Sequence, residues 1–182
     1  MPRLLAALVA ASVLVAGVAE ASAAYTIRTK NGAITRIGPM KTQGVEAGRV
    51  MDATAAFGPA TSIAPIGDAD SEACRIEWRP LKLRATFANF GGADPCGAET
   101  GRLQQATLRS RRFRTARDLR VGDPSSTIKD KYPNARFERN VWIVMTTRSD
   151  VGVEGGRIPT IEAIVKKGRI EILRLWVGAA GD

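Results

Sequence analysis

Three apolar runs near the C-terminus, "NVWIVMTT" (140–147), "TIEAIVK" (160–166) and "RIEILRLWV" (169–177), most constrain what this chain can fold into. Each is rich in β-branched and aromatic residues and bounded by turn formers, so each reads as a strand. Lys167-Gly168 joins the last two as a hairpin. Just upstream, "VGDPSSTIKDKYP" reads as a short helix. Asp123 serves as its cap, and Pro124 takes the first helical position, where its missing N–H costs nothing. Pro133 forces an end by Tyr132. The unit is a helix followed by an antiparallel meander.

The first half follows the same order. A helix through "GRVMDATAAFG" stops at Gly58-Pro59, and "CRIEWRPL", "LRATFANF" and "LQQATLRS" read as strands. "RIGPM" at 36–40 resembles "RVGDP" at 120–124, with about nine extra residues in the first copy. The expected fold class is α+β: two tandem helix-plus-antiparallel-meander repeats, 24–110 and 111–182, sharing one sheet or core.

Ahead of both stands "LLAALVAASVLVAGVA" (4–19), preceded by Arg3 and followed by small residues. This is the pattern of a signal peptide, residues 1–23. Ala19-x-Ala21 and Ala21-x-Ala23 both fit a cleavage site, and cleavage after Ala23 is preferred because it keeps Glu20 away from the end of the apolar run. The run of 16 residues is shorter than the ~20 a membrane-spanning helix needs. The expected destination is secreted, or extracytoplasmic, with no transmembrane segment after cleavage. Cleavage leaves 159 residues and a net charge of +9. Cys74 and Cys96 then form an even pair in an oxidising compartment, which favours a disulfide.

The chain contains no histidine. That removes the commonest general base, the commonest metal ligand and every Ser-His or Cys-His pair. Ser126-x-x-Lys129 has the spacing of a penicillin-binding-protein nucleophile, but the partner motifs are missing: "SDV" at 149–151 lacks the asparagine. Asp68, Asp70 and Glu72 alternate as calcium ligands would. An EF-hand counted from Asp68, however, would have Ala73 where glycine belongs and Arg79 where glutamate belongs. No cofactor, no metal and no catalytic residue are expected. Trp78, Trp142 and Trp176 sit in predicted strands, where a core role is the default.

The remaining feature is "RSRRFRTARDLR": Arg109, Arg111, Arg112, Arg114, Arg117 and Arg120, answered only by Asp118. Residues 102–120 hold seven arginines and one aspartate. Guanidinium groups grip phosphate and carboxylate with paired hydrogen bonds, which makes the cluster a candidate contact for an anionic envelope polymer or a protein. The competing reading is a solvated seam between repeats, with salt bridges to Glu138, Glu154 or Glu162. No nucleic-acid-binding pattern surrounds it, so nucleic acid is set aside. Strand alternation would set Arg109 and Arg111 on one side, and Arg112 and Arg114 on the other.

The run "RFRTARDLRVGDPSSTIKDKYP", with "GGRIPTIEA" and the closing "RLWVGAAGD", resembles uncharacterised secreted proteins of GC-rich Gram-positive bacteria. The duplicated helix-plus-meander order is similar to the β-lactamase inhibitory protein and to small outer-membrane assembly lipoproteins. The inhibitor resemblance implies a disulfide in each repeat. The second repeat here has no cysteine, so β-lactamase inhibition is not carried over. The expectation is a noncatalytic binding or envelope-associated protein. The alternatives are a proteinaceous inhibitor of a secreted enzyme and, behind it, a carboxylate-dependent hydrolase.

Overall fold

The computed structural model describes residues 24–44, 47–66, 73–89, 91–148 and 156–177. The expected signal peptide, the acidic loop with Asp68, Asp70 and Glu72, the Ser149–Val151 segment and Glu154 lie outside these residues.

"YTIRTKNGAITRI" alternates apolar and polar side chains about Asn31-Gly32, and it folds as a hairpin of β1 (Tyr25–Lys30) and β2 (Ala33–Ile37). Asn31 and Gly32 both have positive φ, 53° and 87°, as a tight hairpin with strand-matched twist demands. A Cβ at Gly32 would also collide with the Thr146 carbonyl, so the turn is fitted against the rest of the molecule. β3 (Met40–Lys41) extends this sheet on one edge. On the other edge β8 (Phe113–Thr115) lies parallel to β1, giving the order β3-β2-β1-β8.

The second sheet has eight strands. β4 (Ser62–Ile66), β5 (Ala73–Trp78), β6 (Leu83–Ala88) and β7 (Arg102–Leu108) form one antiparallel run. β9 (Arg136–Glu138), β10 (Val141–Arg148), β11 (Arg157–Lys166) and β12 (Arg169–Trp176) form the other. β7 pairs with β12, so the order is β4-β5-β6-β7-β12-β11-β10-β9. Among the described residues two short α-helices complete the fold, α1 (Val50–Phe57) and α2 (Ser126–Lys131).

The α+β expectation of helix-plus-meander repeats is therefore corrected. Over the described residues the fold is mainly β, 52% strand against 12% helix, with two sheets. Two physical reasons stand out. The alternating segment around Asn31-Gly32, outside the strands expected of the first half, supplies most of a second sheet. The helices are also too small to form a layer: α1 buries only Val50 and Ala53, and α2 only Ile128.

α2 starts later than its sequence suggests. Asp123 does not cap it; its carboxylate accepts instead from the Arg120 N–H at 3.0 Å. Pro124 bridges to Arg169, and Ser125 N–H donates to the Gly168 carbonyl at 2.9 Å. The segment is thus held along the β11–β12 turn before the helix begins. It ends before Pro133, with Tyr132 at its C-cap.

One apolar cluster unites the layers: Ile27, Ile34 and Ile37 of the small sheet with Trp78, Phe87, Leu108, Ile161 and Leu173 of the large one. Phe113 stacks on Tyr25 at 5.0 Å between ring centroids, and Phe57 meets Trp78 edge-on at 5.6 Å. Trp78 is a core residue whose indole N–H donates to the Gly58 carbonyl at 2.9 Å. Trp142 and Trp176 are only half-buried. Cys74 and Cys96 form a disulfide with Cα atoms 5.2 Å apart, tying β5 to the loop between β6 and β7. In the chain-entropy model, closing that loop stabilises the fold by about 3 kcal/mol.

Candidate anion-binding site

The six arginines from Arg109 to Arg120 do not share one strand, so simple alternation does not apply. β7 ends at Leu108, the chain turns through 109–112 with Phe113 N–H donating to the Ser110 carbonyl, and β8 begins in the other sheet. Phe113 is fully buried and anchors this change of sheet. The arginines are consequently dealt out to different surroundings.

Arg114 and Arg120 gather around Asp118. Arg120 holds the Asp118 carboxylate through Nε at 3.0 Å and Nη2 at 2.6 Å, and Arg114 approaches it at 3.5 Å. Lys131 donates to the Asp118 carbonyl and pairs with Asp123 at 3.4 Å. The Arg120 hydrogen bond, reinforced by the charges of Arg120, Lys131 and Arg114, holds the Asp118 carboxyl below its usual range. Of the three carboxylates named as possible partners, Glu138 pairs with Arg136 and Glu162 with Arg174, both outside the cluster.

Arg117 turns elsewhere. Its guanidinium lies 5.2 Å from the centre of the Tyr132 ring and donates to the Lys131 carbonyl at 2.8 Å. Burial raises the Tyr132 phenol above its ordinary value, and hydrogen bonds with the Thr115 side chain and the Arg117 backbone offset part of that rise. Arg112 is exposed and contributes its carbonyl to Tyr25 N–H, pinning β1 beside β8.

Arg109 and Arg111 point to a third place. Arg109 lines an open concavity of about 520 Å³ together with Lys82, Lys166, Lys167 and Arg169, over a floor of Val121 and Ile170. Glu171 is the only acid lining it among the described residues, and it pairs with Arg109 at 3.4 Å. Arg169 is braced by donating to the Gly122 carbonyl at 2.9 Å, and the Arg111 side chain passes next to Gly122. The geometry follows from local sequence. Lys82 sits in a left-handed turn (φ 49°) just before β6, and Lys167-Gly168 are the positive-φ residues of the β11–β12 hairpin. Because β6, β7 and β12 are neighbours, both turns and Arg109 arrive at one end of the large sheet.

Across the middle strands of the large sheet, one row of cations is answered. Glu77, Arg84, Thr107, Arg174 and Glu162 stand in register across five strands, with Arg84–Glu77 at 2.7 Å and Arg174–Glu162 at 3.1 Å. The concavity departs from that pattern by four net positive charges. Lys82, Lys166, Lys167 and Arg169 lie outside the dense 109–120 run, so charge density along the sequence does not single them out. The local signal is the "KKGR" of the expected hairpin; "LQQATLRS" is legible as the strand β7, but no local pattern announces its pairing with β12.

Ser126 and Lys129 both lie on α2, and Lys129 Nζ donates to the Pro133 carbonyl at 3.2 Å. Among the described residues no group of three or more His, Cys, Asp or Glu side chains is placed to hold a metal ion.

No family model and no curated protein matches the chain. Among solved structures it is similar to an extracellular protein containing a SCP domain from Bacillus anthracis str. Ames, at 13% identity and a TM-score of 0.41. The match covers 82% of this chain and 50% of that one, so this chain spans about half of that protein's length. A likeness at this level carries no argument about fold or activity.

Proposed function

We propose that the protein is a noncatalytic, extracytoplasmic binding protein that docks on a phosphate-bearing envelope polymer through Lys82, Arg109, Lys166, Lys167 and Arg169. The observation that carries this reading is the set of five exposed cations around one concavity against a single carboxylate. Lysine ammonium groups and a braced guanidinium suit a chain of phosphates, whose repeating charge matches a surface rather than a point. The open shape of the concavity admits a continuous chain. The Cys74–Cys96 disulfide supports an oxidising compartment, and among the described residues no helix is long and apolar enough to cross a membrane.

The test is retention of the full chain on immobilised poly(glycerol phosphate), beside a K82S/K166S/K167S variant, at low and high salt. Each lysine at an anionic surface contributes about 1 kcal/mol, so the variant is expected to bind roughly 100-fold more weakly at low salt. High salt should weaken wild type towards the variant, since exposed charges are screened beyond about 10 Å at 0.1 M. Equal retention of both proteins would reject the assignment.

A further inference from the structure

A second cavity, separate from the hairpin concavity, lies between the end of α2 and β9–β11. It measures about 350 Å³ and is lined by Arg117, Arg136 and Arg157, with Tyr132, Asn134 and Thr146 among its walls and Ile143, Val144 and Met145 as an apolar side. We propose that this cavity is a binding site for a phosphomonoester carried on a small apolar or aromatic group.

The argument starts from the three guanidiniums. They come from separate segments: the loop after β8, the edge strand β9 and the start of β11. Each is fixed by one part of its fork. Arg117 donates through Nη1 to the Lys131 carbonyl, Arg136 meets Glu138 through Nε at 2.7 Å, and Arg157 donates through Nε to Thr146 Oγ1 at 2.8 Å. A guanidinium has five N–H donors, so one anchoring contact sets its direction and leaves donors for a ligand. Arg136 shares the β9–β10 register with Ile143, which brings a cation and the apolar side to the same cavity.

Charge selects the ligand. Three guanidiniums against Glu138 leave two positive charges among the described residues. A phosphomonoester carries about −1.5 to −2 at neutral pH and three acceptor oxygens, one for each fork. A planar carboxylate has two oxygens and a single charge, and would leave one arginine unanswered. The volume lies at the lower end of the range for small-molecule sites, which suits one ring and one phosphate. Ile143, Val144 and Met145 then give the ligand's organic part an apolar contact that inorganic phosphate could not use.

The experiment is calorimetric titration of the full chain with phenyl phosphate, inorganic phosphate and benzoate, for wild type, R157Q, R157K and K82S/K166S/K167S. Arg157 is exposed, and unchanged melting curves would show that its variants are folded. The expected result is saturable one-to-one binding of phenyl phosphate that is at least tenfold tighter than inorganic phosphate or benzoate. R157Q should lose tenfold or more, R157K less, and the lysine variant nothing. The lysine variant separates this site from the polymer-docking surface: its failure on poly(glycerol phosphate) with intact phenyl phosphate binding supports two sites. No saturable binding, equal binding by R157Q, or loss only in the lysine variant would overturn the proposal. Benzoate binding as tightly as phenyl phosphate would overturn the phosphate assignment, and equal inorganic phosphate would overturn the role of the apolar side.

Discussion

The Asp118 knot holds three cations and the hairpin concavity five, and the two groups differ in what those cations face. Around Asp118, Arg114, Arg120 and Lys131 converge on acids and carbonyls of the same short segment. At the end of the large sheet, five cations contributed by three separate stretches of chain share Glu171. The knot comes from neighbours in sequence, so its compensating acids, Asp118 and Asp123, were inherited with it. The concavity comes from strand order, which gathers positive turns without bringing acids along. The density of charge along a chain is therefore a poor guide to unneutralised charge in space.

The most severe way to break this comparison is to remove the residue that parts the two groups. Phe113 is fully buried between the sheets, stacked on Tyr25 and packed near Phe57. Phe113→Ala should cost about 3–5 kcal/mol, the usual penalty for emptying a core aromatic site, readable as a shift in denaturant midpoint. Loss of under 1 kcal/mol would mean that the change of sheet at 113–115 is not held by this ring.

A milder change sharpens it. Asp118→Asn leaves the arginines and removes their shared acid. Stability should fall by no more than about 1 kcal/mol, because the carboxylate and its partners are largely exposed and screened. If charge count alone governed docking, this variant would hold poly(glycerol phosphate) distinctly better than wild type. The present reading expects a change of less than about threefold, under 1 kcal/mol, in retention.

The smallest effect is the pH response of the knot. The depressed Asp118 carboxyl contributes stability that is present above its unfolded value, ordinarily 3.8, and is lost as pH falls through its lower folded value. Carboxyl carbon shifts followed by NMR should place its midpoint below 3.8, and Arg120→Ser should return it towards that value. A midpoint at or above 3.8 in wild type would contradict the Arg120 contact.

Much of the second half was legible. "NVWIVMTT", "TIEAIVK" and "RIEILRLWV" became β10, β11 and β12, and Lys167-Gly168 became their turn, because alternation and turn chemistry are local. Cys74–Cys96 followed from an even cysteine count. The small sheet is written just as plainly in the alternation around Asn31-Gly32, and two sheets stand where two helix-plus-meander repeats sharing one sheet or core were expected. The parallel pairing of β8 with β1 joins residues 88 positions apart, and no local pattern announces it. The same holds for the sites. Arg109 stands in the dense run, but Lys82 and Arg169 reach it only through the β6-β7-β12 order, and Arg157 meets Arg117 in one cavity only because the segment 132–134 after α2 lies beside β10.

The most direct measurement is an amide shift map of the isotope-labelled protein titrated with poly(glycerol phosphate) at low salt. The account predicts that the largest shifts fall on Lys82, Arg109 and Lys166–Arg169, with 114–120 little changed and all shifts reversed by salt. Shifts concentrated on Arg114, Arg117 and Arg120, with the hairpin silent, would contradict it.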